Sequence, residues 1–276
     1  YQLFQETYHR TTYKEVHTSG KKADYDWHLT AMDRAISAGI DDVGIGVLFG
    51  LVDWRFETLA LIQHAQYLQS TFGVGPHTIS APRLEPAFGS PLSSNSKHLV
   101  NDADFCKLIA ILRLAVPYTG IIMSTRETPQ IRRTTFALGV SQISAGSRTN
   151  PGGYTSDANS NDASQFSLGD HRPLDEVVQD VIQQGYFPSF CTACYRLGRT
   201  GEDFMCLAKP GAIKNMCTVN SLITFYEYLL DYASPQTRTL GEDFIHKTVD
   251  ALPSKQRNAV TMLLNKLKNG DRDLYI

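Results

Sequence analysis

No stretch of this 276-residue chain approaches the ~18 consecutive apolar residues of a membrane span, so no segment is expected to cross a bilayer. Excess charge is missing too. With 26 basic against 28 acidic residues the formal net charge is -2 and the pI is near 6.5, which gives no electrostatic reason to expect nucleic acid or an anionic membrane as partner. The opening Tyr1-Gln-Leu-Phe4 carries neither the basic region of a secretory signal nor a helix cap; it reads as the middle of a buried strand, so the chain is expected to begin mid-fold. Five cysteines, an odd number, with no signal ahead of them, point to reduced thiols in a cytoplasmic setting rather than to a disulfide framework. A phosphate-cradling GxGxxG is absent as well.

What the chain does have is a concentration of thiols. Cys191 to Cys217 holds four of the five cysteines, two of them as Cys191-x2-Cys194, a spacing that lets both sulfurs reach one metal centre from a single turn. Cys217 follows Cys194 after 22 residues and stands at the start of a helical run, Thr218 to Tyr232, while Cys206 lies between. A structural zinc on all four cysteines is an alternative, although its usual signature is two CxxC pairs and there is one here. Three thiolates on a four-iron cluster leave one iron without a cysteine, and so open to another ligand.

Residues 1–150 repeat one phrase: amphipathic segment, Gly or Pro stop, short apolar run, polar tip. Leu29, Met32, Ala35 and Ile36 keep helical spacing up to Gly39, before a strand at Val43 to Phe49. A helix around Arg55 to Ser70 stops at Gly73 and leads to a strand at Thr78 to Ala81. The next, Asp102 to Ala115 with Asp102 as N-cap, stops at Pro117 before Thr119 to Ser124; a short helix near Gln130 to Ala137 then leads to Val140 to Ser144. With Gln2 to Glu6 this makes five expected strands in parallel order, an α/β architecture that suits either an open doubly wound sheet or, preferred for its polar strand ends, a portion of an eight-stranded (β/α) barrel. Glu6, Arg83, Arg126 and Ser144 fall at strand C-terminal ends, where such barrels keep their chemistry. Five strands do not close a barrel, so the sheet edges are expected to meet a missing N-terminal half-barrel or a second copy.

From Asn150 to Gly169 the composition turns to Gly, Ser, Asn, Asp and Pro, which sets the expected boundaries: residues 1–150 for the partial barrel, 151–170 for a linker or loop, and 171–276 for a helical cysteine domain. That domain is expected to contain helices at Leu174 to Gln184, Thr218 to Tyr232, Gly241 to Ala251 and Ser254 to Asn269.

Cys191-x2-Cys194-x22-Cys217, in the setting CTACYRLGRTGEDFM and KPGAIKNMC, resembles the C-terminal auxiliary iron-sulfur motif of the HydG family, radical S-adenosylmethionine tyrosine lyases that mature iron-iron hydrogenases. Gln5-Glu-Thr-Tyr-His9, Val43 to Arg55, Ser80-Ala-Pro-Arg-Leu-Glu-Pro86, Ser124-Thr-Arg-Glu127 and Ser141 to Ser147 extend the resemblance over nearly the whole chain, and the cysteine motif separates it from the thiamine-pathway tyrosine lyases. The family's CxxxCxxC is not among these 276 residues. The resemblance therefore implies strands four to eight and the C-terminal domain of a longer enzyme, inactive by itself in cleaving S-adenosylmethionine.

The implied reaction cuts L-tyrosine to p-cresol and dehydroglycine, then yields carbon monoxide and cyanide on an extra iron joined through free cysteine to an auxiliary 4Fe-4S cluster. A second 4Fe-4S cluster and S-adenosylmethionine serve the complete enzyme, and other hydrogenase maturation proteins are the implied partners. Cys191, Cys194 and Cys217 are implied as cluster ligands and His77, at the start of its strand, as ligand to the extra iron; a turn histidine, or His64 in its place, are the alternatives. Arg126, with Ser144, offers a planar fork to tyrosine's carboxylate unless it is spent on Glu127. Glu6 is assigned to ribose hydroxyls, or else to an ion pair with Arg83 or another cation. Gly44 and Gly46 are assigned to close approach of adenine, or else to packing, and Arg83 joins this cofactor-binding group. Tyr8 and His9 lie near the radical site by position and receive no role, and Cys106 is read as core.

Overall fold

The computed structural model describes residues 1–87, 89–154 and 164–276, which divide into two compact units, Tyr1–His171 and Arg172–Ile276. In the first, helices α1 (Arg10–Val16), α2 (Tyr25–Leu29) and α3 (Ala31–Ser37) precede β1 (Gly44–Gly46). Then follow α4 (Trp54–Phe72), β2 (Thr78–Ser80), α5 (Pro91–Asn95), α6 (Asp102–Ala115), β3 (Gly120–Met123), α7 (Pro129–Ala137) and β4 (Gln142–Ile143). The four strands form one parallel sheet in the order β1-β2-β3-β4, each joined to the next through a helix, with Ile45 opposite Ile79 and Ile79 opposite Ile121. This is the partial-barrel topology expected. The fifth expected strand, Gln2 to Glu6, is present only as isolated parallel bridges, Gln2 to Gly44 and Glu6 to Val47. Between the two bridges this segment advances four residues and the facing one three, a slip of one residue that interrupts a regular ladder, and Glu6 takes φ 67°, in the left-handed region.

Alternation sorts the strand residues. Val43, Ile45, Val47, Phe49, Ile79, Ala81, Ile121 and Met123 are buried in one cluster with Leu61, Ala65 and Leu68 of α4 and Phe105, Leu108, Ile109 and Leu112 of α6. Each such side chain contributes about 1.5–3 kcal/mol on leaving water, and Leu108→Ala would remove about 2–5 kcal/mol. The alternate positions are small or polar: Gly44, Gly46, Thr78, Ser80, Gly120 and Gln142. Local signals fix the helix ends. α4 stops at Gly73 with φ 76°. α6 is capped by Asn101, whose side chain accepts from the Asp104 amide at 2.9 Å, and not by Asp102 as expected; Asp102 instead accepts from Arg83.

The second unit is helical: α8 (Leu174–Gln183), α9 (Ala193–Arg196), α10 (Gly201–Ala208), α11 (Lys214–Asp231), α12 (Pro235–Ala251) and α13 (Ser254–Lys268). Its core joins Val178 and Ile182 to Leu222, Ile223, Phe225 and Leu229 of α11 and to Ile245, Val260 and Leu267. Two expectations shift. α11 starts at Lys214, so Cys217 lies inside its first turn rather than ahead of it. α12 starts at Pro235 behind the cap Ser234, and Gly241, expected at its start, sits within it. The reason is close packing, since a Cβ at Gly241 would lie 2.6 Å from Leu229 Cδ1 of α11. Much of the expected linker, residues 155–163, lies outside the described residues. Its end is anchored: the Gly169 and Asp170 amides both donate to the Thr125 carbonyl at 3.0 Å.

Candidate functional site

Four sequence-derived residues stand at strand C-terminal ends of the first unit, and the structure gives them different tasks. Arg83, after β2, lies over the Phe105 ring at 4.6 Å and donates from Nε to Glu127 and from Nη1 to Asp102 (2.8 Å) and the Val100 carbonyl (2.9 Å). Its Nη2 donates to Glu127 as well, so the guanidinium is used in holding α6 to the β3–α7 loop rather than left for a cofactor. Glu6 accepts from Lys22 Nζ at 2.7 Å and not from Arg83. A Cβ at Gly44 would meet Thr78 Oγ1 at 2.5 Å and Gln2 Cγ at 3.0 Å, and one at Gly46 would meet the Ser80 carbonyl at 2.7 Å and Phe4 at 3.0 Å. The chain's own atoms therefore fill the close approach assigned to adenine, which is the packing alternative.

Arg126 is different. Glu127, its expected ion-pair partner, is buried with Arg83, and among the described residues no carboxylate lies within ion-pair distance of the Arg126 guanidinium. That group lies over the Phe166 ring, its Cζ 3.6 Å from the centroid, and makes one long bond, 3.3 Å, to the Arg83 carbonyl. Burial holds its pKa below the usual guanidinium value, while Glu85, Glu6 and Glu127 act in the opposite sense from farther off. A half-buried cation with open donors and an aromatic rest can take a carboxylate in bidentate fashion. Ser144, half-buried at the tip of β4, is joined to this region through Arg132, which donates to the Ser144 carbonyl at 2.5 Å and pairs with Asp170.

One buried acid escaped the sequence reading. Glu57, fully buried in α4, accepts from the Thr7 hydroxyl and from the Tyr8 amide at 3.0 Å, and burial pushes its carboxyl up. The available signal was an acid on the stripe 54, 57, 61, 65, 68 that otherwise faces the core. Tyr8 bonds His64 Nδ1 at 2.7 Å, and burial lowers the His64 pKa to about 4, so the alternative iron ligand is engaged within its own unit. His77 leads into β2 with Nδ1 3.6 Å from Asp42 Oδ1; burial lowers its pKa against the pull of Asp42, which keeps the imidazole in the neutral form that ligates metals.

In the second unit the candidate donors are thiols. None of the five cysteines is joined in a disulfide. Cys191 precedes α9, Cys194 lies within it, and Cys217 sits in the first turn of α11. The Ala193 amide donates to Cys191 Sγ at 3.4 Å. The Cys217 thiol is pushed up by burial, then by the neighbouring Cys194 and Cys191 sulfurs, with Arg199 acting against them. Cys191, Cys194 and Cys217 thus share one electrostatic neighbourhood, in which Cys206, on α10, takes no part. Among the described residues no group of three or more His, Cys, Asp or Glu side chains is close enough to hold a metal ion. A lone tetrahedral zinc draws its sulfurs to about 3.8 Å from one another; a four-iron cluster, binding each thiolate to a different iron, accepts a wider set. The donor chemistry, three thiols that act on one another, fits the cluster better. An open cavity of about 620 Å³ adjoins Cys191, walled by Phe190, Tyr228, Tyr232 and Tyr275.

Comparison with known proteins adds to this geometry. The family model described as "Biotin and Thiamin Synthesis associated domain" matches residues 80–187, ending before the cysteines. The chain is 34% identical over 201 residues to 2-iminoacetate synthase of Escherichia coli K12, covering 72% of this chain and 52% of that protein. It matches the crystal structure of HydG, titled a maturase of the FeFe-hydrogenase, with 50% identity and TM-score 0.94 over 100% of this chain and 60% of that one. The X-ray structure of the FeFe-hydrogenase maturase HydG from Carboxydothermus hydrogenoformans matches with 44% identity and TM-score 0.78, over 96% of this chain and 57% of that one. The chain therefore spans about half the length of the curated relatives it matches.

Proposed function

This chain is HydG-like over its whole length, and from that premise we propose that it is the portion of a radical S-adenosylmethionine tyrosine lyase that carries the substrate-carboxylate clamp and the auxiliary cluster site. The complete protein cleaves L-tyrosine to p-cresol and dehydroglycine and serves hydrogenase assembly through carbon monoxide and cyanide. The single observation that carries the reading is the grouping of Cys191, Cys194 and Cys217, with their CxxC and 22-residue spacing, in a chain of this likeness. These three thiolates would hold a 4Fe-4S cluster, and His77 remains the proposed ligand for an added iron. When bound, the cluster supplies an iron with no cysteine ligand, open to an external one.

The remaining work belongs to side chains. Arg126 binds and orients the amino-acid carboxylate through its paired N–H groups, held over the Phe166 ring. Glu6, poised on a left-handed backbone and steadied by Lys22, accepts from ribose hydroxyls. Cleavage of S-adenosylmethionine is assigned to the complete protein, since these residues contain no CxxxCxxC.

The test is iron and acid-labile sulfide content, with electron paramagnetic resonance, after anaerobic reconstitution of this chain and of Cys217→Ala. About four irons per chain, lost in the variant, are expected. One tight zinc and no cluster would refute the assembly role and leave a metal-stabilised module. In the complete protein, p-cresol without cyanide or carbon monoxide would favour the thiamine-type lyase instead.

A further inference from the structure

Cys194 lies in the four-residue helix α9, and that helix ends in a way that fixes one particular cation. Gly198 takes φ 66°, its amide donates to the Tyr195 carbonyl at 3.3 Å, and the Arg199 amide donates back to the Cys194 carbonyl at 2.8 Å. This is the paired-bond helix stop in which a glycine must supply the left-handed residue, so the spacing Cys194-x3-Gly198-Arg199 locks the Arg199 backbone to the cysteine. The side chain is fixed as well. Its Nη1 donates to the sulfur of Met216 at 2.8 Å, the residue before Cys217, and its Nη2 to the backbone oxygen of Ile276 at 3.1 Å. Ile276 is itself clamped by Asn220, which accepts from its amide at 2.9 Å and donates to its carbonyl at 3.1 Å. One donor is left over: Arg199 Nε is buried and has no hydrogen-bond partner. A buried N–H without an acceptor is a rare and unfavourable state that a ligand at the site relieves.

We propose that Arg199 is the charge partner of the auxiliary cluster site, a fixed cation with one uncommitted N–H that sets the cluster's reduction potential and is itself held in place by residue 276 through Asn220. The inference rests on the cluster reading above. It goes beyond it by adding a residue that is not a metal ligand and by tying the Ile276 backbone, through Asn220, to the redox behaviour of the site. The sign follows from electrostatics: reduction adds negative charge, which a neighbouring guanidinium stabilises, so removing it lowers the potential. Arg196, one turn earlier, is the natural control, because it pairs with Asp273 and its guanidinium stands over Tyr275 rather than against the cysteines.

The experiment is a redox titration followed by electron paramagnetic resonance on the anaerobically reconstituted chain, with iron and sulfide counted for each sample. Wild type, Arg199→Gln, Arg199→Lys, Asn220→Ala and Arg196→Gln are compared, with circular dichroism to confirm folding. Arg199→Gln is expected to lower the midpoint potential, Arg199→Lys to retain most of it, Asn220→Ala to shift it part-way in the same direction, and Arg196→Gln to leave it unchanged. Loss of the cluster from folded Arg199→Gln but not from Arg199→Lys also counts for the proposal. A cluster of wild-type content and potential in Arg199→Gln overturns it, as does an equal shift in Arg196→Gln. Absence of a cluster in the wild-type chain would instead sink the underlying reading.

Discussion

Asp170→Asn should destabilise the first unit far more than its place beside a polar loop suggests. Asp170 is 1% exposed and pairs with Arg132, 2% exposed, which also donates to the Ser144 carbonyl. Neutralising one member of a buried pair removes a counter-ion from the other, a loss of about 3–5 kcal/mol. For a unit of this size that is a fall in melting temperature of roughly 6–20 °C. Both tryptophans of the chain, Trp27 and Trp54, lie in the first unit, so fluorescence during urea denaturation reports on it alone. Removing both charges, as Arg132→Met with Asp170→Leu, should recover all but about 1–2 kcal/mol, the remainder being the orphaned Ser144 carbonyl. Asp26→Asn, which breaks the exposed Arg10 pair, should give no resolvable change. A loss below about 1 kcal/mol for Asp170→Asn, or a double variant no better than the single, refutes the reasoning.

His64 gives a pH dependence with a definite sign. Its folded pKa of about 4 lies below the ordinary 6.5, so its contribution is complete above pH 6.5 and is lost as pH falls toward 4. The first unit should be about 2 kcal/mol less stable at pH 5 than at pH 7 on this account; His64→Gln should remove that contribution, leaving the opposite, lower-pH one of Glu57, whose carboxyl burial raises. Persistence of the full slope in His64→Gln would assign it elsewhere. Gly241→Ala, favoured by helix propensity alone, should instead lower the thermal midpoint of the second unit, because overpacking against Leu229 costs about 1–3 kcal/mol. Cys206→Ser should leave iron and sulfide content unchanged after reconstitution, since Cys191 and Cys194 act on the Cys217 thiol and Cys206 does not; a halved content would place it in the site.

Periodicity and stop residues made the sheet legible: the runs at Ile45, Ile79 and Ile121 sit in register with one another, and Gly73 stops α4 where its pattern ends. Capping was less legible. Asn101 and Asp102 both suit an N-cap, and only the Arg83 guanidinium, brought there from the end of β2, decides that the aspartate turns away. Gly241 read as a boundary because a glycine inside a helix is unfavourable by propensity, a rule that yields to the approach of Leu229. At the strand tips the residue types were readable and their pairings were not. Arg83 and Arg126 look interchangeable in sequence, yet Glu127 takes the one that comes from the neighbouring strand and leaves its own neighbour open.

The loop that carries Arg126 is braced before anything binds. Thr125 accepts two amides, the Arg126 amide donates to Ser124 Oγ at 3.3 Å, and the guanidinium rests on Phe166. Ordering a long, rotamer-rich side chain at a binding surface ordinarily consumes about 0.5–1.5 kcal/mol of association free energy. Here that entropy has been surrendered during folding, at the expense of global stability. On the proposed clamp role Phe166 would act through Arg126: Phe166→Ala should slacken the fork and weaken anion capture while every hydrogen-bonding atom of Arg126 remains.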